Sequence, residues 1–91
     1  MQESGEMYLE TILTLGDKIG NVRSIDIAEE MNFSKPSVSR AMSKLKADNY
    51  IVIDGNGYIT LTKSGKAIAE KIYERHTVLS EILMSIGVDE E

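Results

Sequence analysis

Cysteine is absent from this 91-residue sequence, and proline and histidine occur once each. Without cysteine there is no disulfide framework and no thiolate metal site, a usage that suits a reducing cytosol. No apolar run approaches the roughly 18 residues of a membrane span, and the opening MQESGEMYLE lacks the basic and apolar regions of a signal peptide. The expectation is a soluble, cytoplasmic chain with no membrane partner. One histidine, no cysteine and no carboxylate pair on a single face except at the ends leave little to run a reaction, so an enzyme is not expected.

What is present is enough for one small domain: 42% of the residues are hydrophobic, sufficient for a single modest core. The net charge of −5 argues against a polyanion partner until it is divided along the chain. Residues 1–21 carry −3 and residues 67–91 carry −4, whereas residues 22–66, with seven Lys/Arg against five acids, carry +2. Local charge decides contact with phosphate, so this middle segment is where nucleic acid would be met.

That middle segment holds the stretch from Ser34 to Ala47, SKPSVSRAMSKLKA. Ser34 is suited to cap a helix and Pro36 to sit in its first turn, which places the start at about Lys35. Val38, Ala41, Met42 and Leu45 recur at spacings of three and four and form an inward face. The opposite arc presents Pro36, Arg40, Ser43 and Ala47, flanked by Ser37, Ser39 and Lys44, with no carboxylate before Asp48. Such a surface either approaches a polyanion or is merely solvated.

The surrounding elements give that helix a context. Residues from about Ser4 to Leu15 read as a first helix, with Ser4 as its cap, a buried stripe of Tyr8, Leu9, Ile12 and Leu13, and Gly16 and Gly20 at its exit. Its other side holds Met7, Glu10, Thr11 and Thr14; Met7 either fills a gap at the edge of the core or does something chemical beside Glu10. A second helix, capped by Ser24, runs to about Met31 on Ile25, Ile27, Ala28 and Met31, and Asn32 and Phe33 make the turn into the helix at Lys35. This is the spacing of a helix-turn-helix, whose second helix enters the major groove.

The period then changes. Tyr50 to Ile53 and Tyr58 to Leu61 read as two strands joined by the turn DGNG, Asp54 to Gly57. A helix-turn-helix followed by a hairpin and another helix is a winged helix-turn-helix, mainly α with a small β-hairpin. The wing tip offers Asn56 and two glycines but no cation, so it is expected to contribute weakly to DNA contact. From Thr62, its cap, to about Ile86 the chain reads as one long helix with Ile68, Ile72, Leu79 and Leu83 buried. His76 falls in that stripe, either as a hydrogen-bonded core residue or as a metal ligand. Gly87 is the expected stop, and an acidic tail follows.

These residues resemble the N-terminal domain of the diphtheria toxin repressor and manganese transport regulator family. The stretches that carry the resemblance are SGEMYLETI (4–12), VRSIDIAEEM (22–31), SKPSVSRAMSKL (34–45), NYI (49–51), ITLTKSGKAIA (59–69), RHTVLSEIL (75–83) and IGVDEE (86–91). The resemblance implies a homodimeric repressor that binds Fe²⁺ or Mn²⁺, thereby gains affinity for a palindromic operator in double-stranded DNA, and silences metal-uptake genes. It implies metal ligands at Met7, Glu10 and His76. A methionine at position 7 is similar to the iron-responsive branch, and a thioether suits Fe²⁺ better than Mn²⁺. Where the family often places a ligating Glu four residues after the histidine this chain has Ser80, with Glu81 one position late and turned by about 100° around the helix.

The resemblance further implies that the remaining ligands and the dimer-forming helices follow Glu91 in a longer protein, so that residues 1–91 hold a winged-helix DNA-binding domain and a partial metal site. For DNA it places Ser34, Pro36 and Arg40 at base edges, with Lys35 beside them, and Ser37, Ser39 and Lys44 near the backbone. Arg40 alone is suited to bidentate readout of guanine. Ser4 and Arg23 are expected to reach phosphates. The contrasting expectations are a winged-helix protein-interaction module, motivated by the net acidity and bare wing, and a DNA-binding regulator that needs no metal.

Overall fold

The computed structural model describes residues 3–85, with side chains from residue 5 to residue 76. Its elements run α1 (Glu3–Ile19), α2 (Ser24–Met31), α3 (Lys35–Ala47), β1 (Ile51–Ile53), β2 (Ile59–Leu61) and α4 (Lys63–Ser85). This is the winged helix-turn-helix order. Gly87 and the acidic end lie outside the described residues.

Leu9 of α1, Ile27 of α2, Val38 and Met42 of α3, Ile51 of β1 and Val22 before α2 are fully enclosed at the centre, and α4 contributes Ala69 and Ile72. α1 adds Leu15 to the expected Tyr8, Leu9 and Ile12. Among the described residues no polar or charged side chain is buried, so every group able to do chemistry lies toward the surface.

α1 extends four residues past Leu15. Gly16 lies inside the helix, tolerated at about 1 kcal/mol relative to alanine because Leu15 anchors that turn in the core. The stop comes at Gly20, which takes φ +82° and donates its N–H to the Gly16 carbonyl at 3.0 Å. Ser4, expected as the cap, is one residue inside the helix, and its side chain lies outside the described residues.

α2 differs at its start too. Ser24 is the first helical residue, not the cap; the carboxylate of Asp26 reaches back and accepts the Arg23 N–H at 2.9 Å. A charged acceptor in the first turn outcompetes a serine hydroxyl one position too late. Ile25 is partly exposed rather than buried. Asn32, left-handed at φ 57°, closes the helix, and Phe33 turns the chain into α3. The rings of Phe33 and Tyr8 meet edge to face, with centroids 6.0 Å apart, and so pin the turn against α1.

The two strands pair antiparallel with Ile51 opposite Leu61 and Ile53 opposite Ile59. Tyr50 and Tyr58 fall just outside them. The hairpin is tied to the body of the domain by a bridge invisible in the sequence: Ile59 donates its N–H to the Val22 carbonyl at 2.7 Å. At the other end, Thr62 caps α4 as expected, accepting the Gly65 N–H at 3.1 Å, and its own hydroxyl donates to the Asn49 carbonyl at 2.7 Å.

Candidate nucleic-acid interface

α3 begins where its chemistry requires. The Ser34 hydroxyl accepts the Ser37 N–H at 3.3 Å and donates to the Ser37 hydroxyl at 2.9 Å. Val38, Met42 and Leu45 are buried and Ala41 half-buried, which turns Pro36, Ser39, Arg40, Ser43 and Lys44 outward. The helix carries Lys35, Arg40, Lys44 and Lys46 and no acid. Among the described residues none of these four forms an ion pair, so their charge is fully presented to solvent.

The serines divide by this geometry. Ser39 is free to meet a phosphate, whereas the Ser34 hydroxyl is engaged in capping and Ser37 is half-buried beside it. The Ser34 hydroxyl, placed at base edges by the resemblance, is engaged in the cap, and Arg40 is the exposed side chain on this arc with the reach and donors for bidentate base contact. Lys46 is exposed on the same helix and was missed because it lies off the arc centred on Arg40.

Arg23 sits outside α3, immediately before α2, and its guanidinium carbon lies 4.7 Å from the centroid of the Tyr58 ring. No local signal links the two residues; only the Val22–Ile59 bridge brings them together. At the wing tip, the Asp54 carboxylate accepts the N–H groups of Asn56 at 2.9 Å and Tyr58 at 3.0 Å, and Gly57 takes φ +84°. Asn56 is exposed there, with an acid as its nearest charged neighbour in the chain.

The remaining expected residues gather on another face. His76 is not in the core: its side chain is 59% exposed, and its Nδ1 lies 2.9 Å from Oε2 of Glu10, which is 20% exposed. At that level α4 faces the polar flank of α1 through His76 and Glu10; Leu79 and Leu83, expected in the buried stripe, lie outside the residues whose side chains are described. Met7, one turn before Glu10, is 49% exposed and does not fill a gap in the core. A carboxylate oxygen and an imidazole nitrogen in contact, with a thioether on the adjoining turn, are donors that suit Fe²⁺ or Mn²⁺. They are an incomplete set, since among the described residues no three His, Cys, Asp or Glu side chains converge.

Comparison with known proteins decides the affiliation. The model of the iron-dependent repressor N-terminal DNA-binding domain matches residues 1–59, from the start of the chain into β2. The chain belongs to this family. Among solved structures, the manganese regulator SloR is 30% identical, with a TM-score of 0.76 over 93% of this chain and 40% of SloR. This member of the family thus spans about two fifths of the length of SloR. Staphylococcus aureus MepR in its DNA complex is 21% identical, with a TM-score of 0.72 over 99% of this chain and 66% of that one. Reduced MarR from E. coli is 15% identical, with a TM-score of 0.71 over the same shares. The last two share the fold alone.

Proposed function

We propose that this domain binds double-stranded DNA through α3 as part of a homodimeric, cytoplasmic transcriptional repressor that Fe²⁺ or Mn²⁺ activates and that controls metal uptake. The observation that carries the reading is the coexistence of two surfaces in one small fold. One is a recognition helix with four cations and no acid; the other is the Glu10–His76 contact that joins α1 to α4.

Arg40 reads a base edge in the major groove, while Ser39, Lys44 and Arg23 hold phosphates and fix the register. Glu10 and His76 would hold the metal, with Met7 beside them and further ligands from beyond residue 91. A bound divalent cation supplies a cross-link between the two helices. Because α1 also packs on the turn before α3 through Tyr8 and Phe33, Glu10 and the recognition helix share one rigid support.

The test is selection of duplexes from a random-sequence pool by the full chain, with Mn²⁺ or with chelator, followed by titration at several salt concentrations. The expected result is an enriched palindromic site whose affinity falls steeply with salt, as phosphate neutralisation requires. Binding that ignores salt, or no enrichment, would overturn the reading and favour a protein-interaction module.

A further inference from the structure

The wing tip, Asp54 to Gly57, carries an acid and no cation, which leaves the hairpin without the usual means of touching a DNA backbone. Its stem supplies one indirectly. Resting on the DNA-binding reading above, we propose that Tyr58 is a positioning residue that holds the Arg23 guanidinium as a preset phosphate clamp, so that the wing acts on DNA through its stem and Arg23 rather than through its tip.

Three observations support this. The guanidinium of Arg23 lies over the Tyr58 ring at 4.7 Å from the centroid, within the range of attraction between a cation and the negative face of an aromatic ring. Neither partner is free to drift. The Arg23 N–H is bound to Asp26, and the Val22–Ile59 bridge fixes the residues next to each. Tyr58 is further held by Asp54, whose carboxylate accepts its N–H and whose own N–H donates to its carbonyl at 3.1 Å.

The charge of Arg23 is also left available. The one carboxylate in contact with the residue, Asp26, is engaged with its backbone N–H, and among the described residues the guanidinium makes no ion pair. With the Tyr58 ring on one side and the residue exposed, the N–H donors of the guanidinium remain available to a phosphate. An arginine held in this way has less rotamer freedom to lose on binding than one extended into water. The same exposed arginine could have been merely solvated; the ring beneath it argues otherwise.

The experiment compares wild type, Arg23→Ala, Tyr58→Leu, Tyr58→Phe and the Arg23→Ala/Tyr58→Leu double variant in the full chain. Each is titrated against the duplex the wild type selects and a scrambled duplex, across a range of salt. Arg23→Ala is expected to weaken both duplexes on the order of tenfold and to reduce the salt slope by about 0.9, the signature of one lost phosphate contact. Tyr58→Leu, which keeps apolar bulk, should weaken both by roughly two- to fivefold, and Tyr58→Phe, which keeps the ring, should restore binding.

In the double variant the Tyr58 effect should vanish, because there is no guanidinium left to position. Wild-type affinity in Tyr58→Leu, losses that multiply in the double variant, or an unchanged salt slope in Arg23→Ala would each overturn the proposal. If Tyr58→Leu does not fold, the wild-type NMR spectrum decides: an upfield Arg23 Hε with a contact to the Tyr58 ring supports the clamp, and a random-coil shift without one overturns it. A wild type that binds no duplex fails at the DNA reading itself, before the variants are compared.

Discussion

Glu10 on α1 and His76 on α4 meet at 2.9 Å although 66 positions separate them in the chain. His76 is exposed and Glu10 partly so, and a hydrogen bond so placed adds about 1 kcal/mol to stability, a small share of what holds the domain together. What the contact does is bring an oxygen and a nitrogen donor together on two different helices, open to solvent and therefore to a ligand.

Glu10→Ala and His76→Ala should consequently separate metal binding from folding. Loss of a group that merely orients a ligand costs on the order of ten- to a hundredfold in metal affinity, so loss of a donor should cost at least tenfold. The thermal midpoint without metal should stay within a few degrees of wild type. Titration with Co²⁺ followed by visible absorption, and with Mn²⁺ followed by electron paramagnetic resonance, checks both; unchanged affinity in the two variants would remove this pair from the site.

Arg40 and Lys44 share a helix but should fail in different ways. Arg40→Ala is expected to cost about 1–3 kcal/mol on the selected duplex and to relax preference at one base pair, because a guanidinium can meet two acceptors of guanine at once. Lys44→Ala should weaken all duplexes alike and lower the salt slope by about 1. Competition titrations with single-base variants of the site distinguish the two patterns. A uniform loss in Arg40→Ala would move Arg40 to the backbone.

The winged helix-turn-helix was legible because its signals are local: the apolar period of α2 and α3, the Ser34 cap and the Asp54–Gly57 turn of the wing are each written within a few residues. The exit of α1 was not, since Gly16 and Gly20 are equally acceptable stops and the burial of Leu15 favours the second. Nor was the true cap of α2, where Ser24 and Asp26 compete and the stronger acceptor wins. The contacts on which the proposed sites rest, Glu10 with His76 and Arg23 with Tyr58, join distant parts of the chain and leave no trace in any local pattern. The first was reached through resemblance to a family; the second required the fold.

Gly65 opens α4 at a point where no side chain fits. A Cβ added there would land on the backbone carbonyl of Tyr50, which cannot swing aside because it accepts the Thr62 N–H at 3.0 Å. Gly65→Ala should destabilise the domain by about 1–3 kcal/mol or more through forced backbone displacement, despite the better helix propensity of alanine. Urea unfolding at constant slope measures this directly. A stabilised variant would show that α4 shifts freely against β1.

Asn49 controls where the recognition helix ends and where α4 begins. It sits at φ 64°, directly after the Asp48 cap of α3, with its N–H donating to the Lys46 carbonyl and the next N–H, of Tyr50, to that of Leu45, each at 3.0 Å. These two bonds end α3 with a left-handed residue, and the Asn49 carbonyl then receives the Thr62 hydroxyl that caps α4. The left-handed conformation costs an ordinary residue about 1–2 kcal/mol, whereas asparagine tolerates it and glycine adopts it freely. Asn49→Gly should therefore leave stability nearly unchanged, and Asn49→Val should cost about 1–2 kcal/mol or more, a β-branched side chain being the least suited to positive φ. Equal unfolding midpoints for the glycine and valine variants would show that the backbone at this junction is not held in the left-handed region.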